Sequence, residues 1–365
     1  MSFITLILVI SILVFVHELG HFLVAKKSGV RVDEFSIGFP PRLYSKKVGE
    51  TLYSINLIPF GGYVKIFGEN PDADSMDGPD KKRSFVNKPR HIQALILVAG
   101  IVMNVLFAWA LLTMSFTLGV SQTSDQSSGN LVMVTDVLKD SSAEMAGIKS
   151  GDLITDIELS ERLKVKSEKV EEKIDTNKIK EIVAGSKGLP LVVTYIRGDK
   201  TATTSVEAKN GTVAGSFVIG IQMADVENTK LPFGQAIIEG AKTTYELFIA
   251  TMVGTVKFFG SAFTLNANLA DVSGPVGIAG YLNQAREFGL STLFSFVAII
   301  SLNLAVINLL PFPALDGGRL LFVCIEAIIR RPINPKIANA VNLIGFGLLM
   351  LLMLTITVSD IGKLF

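Results

Sequence analysis

The chain has a single cysteine, Cys324, in 365 residues. That excludes an internal disulfide and any zinc cluster built on cysteine. Cys324 stands in an apolar run, where a packed thiol is expected. Charge is scarce too. Charged residues make up 18% of the chain, against about a quarter in an ordinary soluble domain. The net charge is +1, and no basic stripe carries interleaved aromatics, so nothing points to nucleic acid. Histidine is rarer still: only His17, His21 and His91 are present. Residues 1–25, 92–120, 290–318 and 337–358 hold almost no Lys, Arg, Asp or Glu, whereas 121–230 has an ordinary charge density. With 49% of residues hydrophobic, the pattern is that of a membrane protein carrying one soluble domain.

The apolar run from Phe3 to Val24 is long enough to span a bilayer, which takes about 20 residues. A secretory signal would have its positive charge ahead of the run. Here Lys26 and Lys27 follow it, which puts the N-terminus outside and the loop 26–90 inside. That loop also carries Lys46, Lys47, Lys81, Lys82, Arg83, Lys88 and Arg90. A second span over 94–119 leads outward, leaving 121–230 outside. A third, 291–312, returns inward ahead of Arg319, Arg330 and Arg331, and a fourth, 338–358, leads out again. Residues 236–263 carry Glu239, Lys242, Glu246 and Lys257. One more crossing there would break the alternation, so an amphipathic helix at the outer interface or against the bundle is expected.

The chemistry lies in His17-Glu18-Leu19-Gly20-His21. Residues four apart share one face of a helix. Two imidazoles so placed can bind one zinc ion, with the intervening Glu placed to act on a water molecule. As a bare pattern the motif arises by chance on solvated helices. This helix is a membrane span, where each ionisable group costs roughly 2.5–3.5 kcal/mol even on lenient scales. A bound cation offsets that cost. A catalytic zinc takes three protein ligands, so one more is needed. His91, beside Lys88, Pro89 and Arg90, belongs with headgroups or solvent. Asp316 is the better candidate, closing the third span in Asn308-Leu309-Leu310-Pro311-Phe312-Pro313-Ala314-Leu315-Asp316-Gly317-Gly318. Pro311 and Pro313 break a helix there and Gly317 and Gly318 loosen it. Irregular backbone at membrane depth belongs in a protein interior or a wet cavity.

These two motifs resemble those of the site-2 protease family of intramembrane zinc proteases, most closely its bacterial PDZ-bearing branch, typified by regulators of sigma-E. The likeness runs nearly end to end and includes Glu34-Phe35-Ser36-Ile37-Gly38-Phe39, Ile58-Pro59-Phe60-Gly61-Gly62-Tyr63-Val64-Lys65 and Ser273-Gly274-Pro275-Val276-Gly277-Ile278. One departure is Ala99-Gly100-Ile101-Val102-Met103-Asn104, where the family often has proline after the glycine. The resemblance implies that His17, His21 and Asp316 bind Zn2+ and that Glu18 is the general base. It implies that Asn308 holds the substrate backbone or the developing oxyanion; an interhelical hydrogen bond is the plainer reading of Asn308, and the only one taken for Asn104, Asn303 and Asn342. It further implies membrane-anchored substrates such as anti-sigma factors and remnant signal peptides, trimmed first by an upstream site-1 protease. The setting would be the bacterial inner membrane, with the active site towards the cytoplasm.

The expected fold is an α-helical polytopic membrane protein of about four transmembrane helices, with one extracytoplasmic α+β PDZ domain. Its parts are a membrane half (1–120), the PDZ domain (121–230), and an amphipathic segment with a second membrane half (231–365). Leu52–Leu57 and Tyr63–Phe67, joined through Pro59-Phe60-Gly61-Gly62, read as a β-hairpin. By the resemblance this hairpin is re-entrant, and its edge would pair with an unwound substrate. In 121–230, Leu131–Val137 and Leu191–Arg197 read as strands, Ser141–Asp152 as the small helix and turn of a PDZ domain, and Asn177–Ala184 as the helix beside its groove. The charged run 158–175 reads as a solvated helix or loop. Two other classes stay open: a membrane-tethered PDZ scaffold, which needs no metal, and a metal transporter, which needs no Glu18.

Overall fold

The computed structural model describes residues 2–70, 73–123, 131–160, 174–198, 200–210, 217–263 and 273–362. They divide into two compact units. One comprises Met1–Thr113, Ile237–Asn283 and Ser295–Phe365; the other comprises Met114–Ala236 and Gln284–Phe294. In chain order the elements are α1 (Ser2–Lys27), β1 (Val32–Val48), β2 (Thr51–Ile66), α2 (Ala73–Asp77) and α3 (Arg90–Leu118), then β3 (Val120–Thr123), β4 (Leu131–Val137), α4 (Ser142–Met145) and β5 (Leu153–Leu159). Next come α5 (Thr176–Gly185), β6 (Pro190–Arg197), β7 (Lys200–Glu207), β8 (Lys209–Asn210), β9 (Phe217–Val218) and β10 (Ile221–Thr229). The chain closes with α6 (Phe233–Phe263), α7 (Pro275–Glu287), α8 (Leu290–Leu309), α9 (Asp316–Ile329) and α10 (Pro335–Gly362).

Among the described residues, four helices are long and apolar enough to cross a membrane: α1, α3, α8 and α10. Ile4, Leu8 and Ile12 are exposed along one side of α1, as suits lipid, while Leu6, Val9, Leu13 and His17 turn inward. α1 and α3 pack closely at Gly20, where a Cβ would collide with the Ala99 carbonyl and come within 2.8 Å of Met103 Cγ. The 31-residue α6, with its four charges, is not among the four. It packs on α3 instead: Trp109 Nε1 donates to the Ile237 carbonyl at 3.0 Å, and Gly240 meets Thr113.

The structure differs from the sequence reading at Cys324, which is exposed on α9 rather than packed, and at two larger features. The third span stops at Leu309, not 312, so Asp316 does not close it but opens α9. The prolines end α8, and Ala314 takes a left-handed φ of 72° to turn the chain. Gly317 and Gly318 are not there to loosen a helix. A Cβ on either would collide with the carbonyls of Leu309, Leu310 or Phe312, so they let the first turn of α9 lie directly on the incoming chain. The second difference is the hairpin. β2 is one strand from Thr51 to Ile66, and its partner is β1, antiparallel overall. The pair folds back on itself: Glu34–Ile37 lie opposite both Leu52–Ile55 and Gly62–Lys65, and Lys46–Val48 lie opposite Thr51–Tyr53. β1 was illegible because Asp33, Glu34, Arg42, Lys46 and Lys47 and the Pro40-Pro41 step break the apolar pattern of a strand.

One end of this sheet is held by charge. Lys26 and Arg83 both bond Glu50, between β1 and β2, at 2.9 and 2.6 Å. Arg31 lies flat on Phe67 at 3.5 Å and bonds Asp33 and Asp80. The middle of the sheet rests on α1: Ser11 Oγ donates to the Pro59 carbonyl, and Gly61 packs against Val14.

The second unit is built on a six-stranded sheet of order β3-β10-β4-β5-β6-β7, all neighbours antiparallel. Its core gathers Val132, Val134, Ile154, Ile157, Leu191 and Val193 from the strands with Ile179 and Val183 of α5. Both helices carry side-chain caps, Ser141 on α4 and Asp175 on α5. Asp152 is fully buried and receives both ends of the Arg197 guanidinium at 2.6 Å, as well as the Lys149 N–H. Residues 161–173, most of the charged run, lie outside the described residues.

Two tests follow from these ion pairs. Arg197→Leu leaves Asp152 buried without its partner, which costs about 3–5 kcal/mol. We expect a clear fall in the melting temperature of the second unit, with Asp152→Asn/Arg197→Leu milder than the single change. The Lys26 and Arg83 hydrogen bonds hold the Glu50 carboxyl below its usual range. A carboxylate lowered on folding stabilises above its unfolded pKa, about 4.3, and that contribution is lost as pH falls through the folded value. Melting curves in detergent at pH 7 and pH 4 should therefore show a smaller acid-induced drop in Glu50→Gln than in the wild type.

Candidate active site

His17 and His21 sit one turn apart on the inward face of α1, each only 6% exposed. Their Nε2 atoms lie 3.1 Å apart. Asp316, at the first position of α9, places Oδ2 2.9 Å from His17 Nε2 and 3.2 Å from His21 Nε2. The three ligand-type atoms thus lie within 4.8 Å of one another. Two imidazole nitrogens and a carboxylate oxygen so crowded and so buried repel unless a cation or protons stand between them. The number and type of donors suit a metal that takes three protein ligands and keeps one open position.

α3 forms the backing of this site at positions four residues apart. The Ile96 carbonyl lies 2.8 Å from His21 Nδ1. A carbonyl only accepts, so Nδ1 carries the proton and the Nε2 lone pair faces the centre. Gly100 gives the rings their room, since a Cβ there would collide with both imidazoles. Asn104, fully buried, has its amide 3.2 Å from His17 Nδ1, while its Oδ1 has no hydrogen-bond partner. The two ends of a carboxamide have the same shape. With Oδ1 towards the ring, His17 Nδ1–H donates to it, and the second Nε2 lone pair also faces the centre. The sequence reading gave Asn104 only an interhelical bond. Its spacing of four from Gly100 was the available signal.

Glu18 lies on α1 beside the cluster, and its Oε2 accepts the Val64 N–H of β2 at 3.1 Å. Val64 is paired with Phe35 of β1 through Gly62–Ile66, and among the described residues no strand pairs with the other edge. That free edge therefore faces the acid. Glu18, His21 and Asp316 open into a cavity of about 570 Å³, walled by Tyr63, Val64 and Ile66 of β2 and by Asn342 and Phe346 of α10. Asn342 also accepts the Ala314 N–H at 3.2 Å, supporting the turn that delivers Asp316. Asn308 is half-buried in the last turn of α8 and is not hydrogen-bonded to His17, His21 or Asp316. His91 is exposed at the start of α3, away from the cluster.

Known proteins are similar to this chain along nearly all of its length. The family model for peptidase family M50 matches residues 5–352. A protein of Clostridium perfringens is 37% identical over 356 residues, covering 97% of this chain and 97% of the relative. The regulator of sigma-W protease RasP of Bacillus subtilis is 31% identical over 440 aligned positions, covering 99% of this chain and 98% of its own length. Zinc metalloprotease RasP of Shouchella clausii is 29% identical, with 98% of each chain covered. A chain with four apolar helices, two buried histidines four residues apart and a match over nearly all of its length belongs to peptidase family M50, the site-2 proteases.

Proposed function

We propose that His17, His21 and Asp316 hold the zinc ion of this intramembrane metalloprotease, that Glu18 is its general base, and that Asn308 holds the substrate backbone. The observation that carries the assignment is the meeting of His17 Nε2, His21 Nε2 and Asp316 Oδ2 beside the Glu18 carboxylate. Bound there, zinc supplies Lewis acidity, polarising a carbonyl and acidifying a water molecule. Val64 N–H holds Glu18 Oε2, so Oε1 takes the proton of the attacking water and passes it to the leaving amide nitrogen. Asn308 stands free of the three ligand atoms, as a group that must meet the substrate needs to.

The substrate is a membrane-anchored segment, and the free edge at Gly62–Ile66 receives it as an added strand once it has unwound. The sheet is re-entrant in this reading. Ser11, which bonds Pro59, stands sixteen residues before Lys27, about 24 Å along a helix. That depth supports strand loops lying within the bilayer. Lys26, Lys27, Lys81, Lys82 and Arg83 favour the open ends of the sheet in the cytoplasm of a bacterium, and the alternation of spans favours residues 121–230 outside. The second unit serves as a PDZ domain, its order of strands and the helix α5 beside β10 being the features in favour. A relative named for regulation of sigma-W favours a membrane-anchored regulator of a sigma factor among the substrates, shortened first by another protease. A scaffold or a transporter has no use for an acid held between two histidines by a strand edge.

Purified wild type and Glu18→Gln should both contain zinc, and only the wild type should cut a tagged transmembrane peptide in detergent. The loss expected from removing a general base is at least about 100-fold. Undiminished cleavage by Glu18→Gln, or a metal-free wild type after gentle purification, would overturn the assignment. Asp316→Ala should lose metal and activity together. Asn104→Leu should bind zinc roughly 10- to 100-fold more weakly in a competition titration, with Asn104→Asp retaining affinity because its carboxylate still accepts from His17.

A further inference from the structure

One basic side chain lines the cavity among the described residues, and the assignments above leave it without a task. Arg319 stands one turn after Asp316 on α9 and forms an ion pair with Glu69, in the loop that follows β2. Both side chains are mostly withdrawn from solvent, 33% and 21% exposed. Removing two charges from water costs about as much as their attraction returns, so such a pair is a poor source of stability. Its best-attested use is to fix one arrangement among several. The two elements it joins both reach the reaction centre. Three residues before Arg319, Asp316 faces the histidines; five residues before Glu69, Val64 holds Glu18.

Apolar packing also joins α9 to this sheet, since Val323 and Leu320 share one apolar cluster with Ile66 and Val64. Such packing is non-directional and tolerates a slide along the strand. An ion pair between two particular residues does not. The register of the edge matters because the substrate strand would take its alignment from it. A slip of one residue moves the chain about 3.3 Å and turns every side chain to the opposite face. It would also bring a different peptide bond to the metal.

We propose that Glu69 and Arg319 are a positioning pair that pins the free edge of β2 against α9 and thereby selects which peptide bond of the substrate is cut. This rests on the site assignment made above.

The test uses the full-length protein in detergent and one tagged transmembrane peptide. Kinetics, bound zinc and the cleavage position by mass spectrometry are measured for Glu69→Gln, Arg319→Gln and the exchanged pair Glu69→Arg/Arg319→Glu. In both single variants zinc should stay at the wild-type level while kcat falls roughly 10- to 100-fold and cleavage spreads to neighbouring bonds. The exchanged pair should return most of the product to the original bond. A single unchanged cleavage site in both single variants overturns the proposal. So does loss of zinc in step with activity, or an exchanged pair no better than the singles. Wild type and Glu18→Gln are run alongside, so a fault in the site assignment shows in those two proteins and a fault in the pair shows only in the variants.

Discussion

Two imidazole nitrogens 3.1 Å apart, with a carboxylate oxygen beside each, are the constraint around which the membrane unit is arranged. Such a cluster is costly within an apolar helix unless a cation or protons stand between its atoms. Everything near it serves to aim lone pairs at one point. α3 contributes a carbonyl at Ile96, an empty position at Gly100 and a carboxamide at Asn104, each four residues after the last. A helix that must back two rings on a second helix has few other ways to do it, because only every fourth residue faces the partner. The turn through Pro311, Pro313 and Ala314 then swings α9 round until its first residue meets the rings.

The β-sheet solves a different problem with the same economy of elements. Backbone N–H and C=O groups withdrawn from water must find partners. Most of β2 finds them in β1. The edge at Gly62–Ile66 does not, and one of its N–H groups is instead given to Glu18. The acid and the edge therefore fix one another.

The second unit obeys the ordinary rules of a water-soluble domain. Alternation along β4 and β6 sends Val132, Val134, Leu191 and Val193 inward, a register shift between Ile154 and Asp156 in β5 lets Ile154 and Ile157 both join them, and α5 closes the core with Ile179 and Val183. Asp152, fully buried, is matched by a two-pronged arginine. The two units differ in where their apolar side chains lie. In one, apolar side chains such as Leu343, Leu351 and Leu354 of α10 are exposed because lipid can receive them. In the other they are gathered inside.

Much of this was legible beforehand because it is local. Apolar runs of about 20 residues need only be counted, and a histidine pair at i and i+4 shares a helix face whatever surrounds it. Prolines and glycines near Asp316 announced irregular backbone, though not that they start a helix and let it pack on the preceding chain. The strands Leu131–Val137 and Leu191–Arg197 show their alternation in sequence. What needed the tertiary structure is whatever depends on residues far apart. β1 is recognisable only through its partner, because its charges and prolines hide it until β2 is laid beside it. Asn104 looks like any membrane asparagine until α3 sets it on the His17 ring. Glu69 and Arg319 carry no motif at all, and they acquire a place only when β2, α1 and α9 are brought around one cavity. Periodicity and composition thus determined the solvent, the helices and the histidine face. The direction in which lone pairs, backbone edges and the remaining charges point was decided by packing between elements hundreds of residues apart.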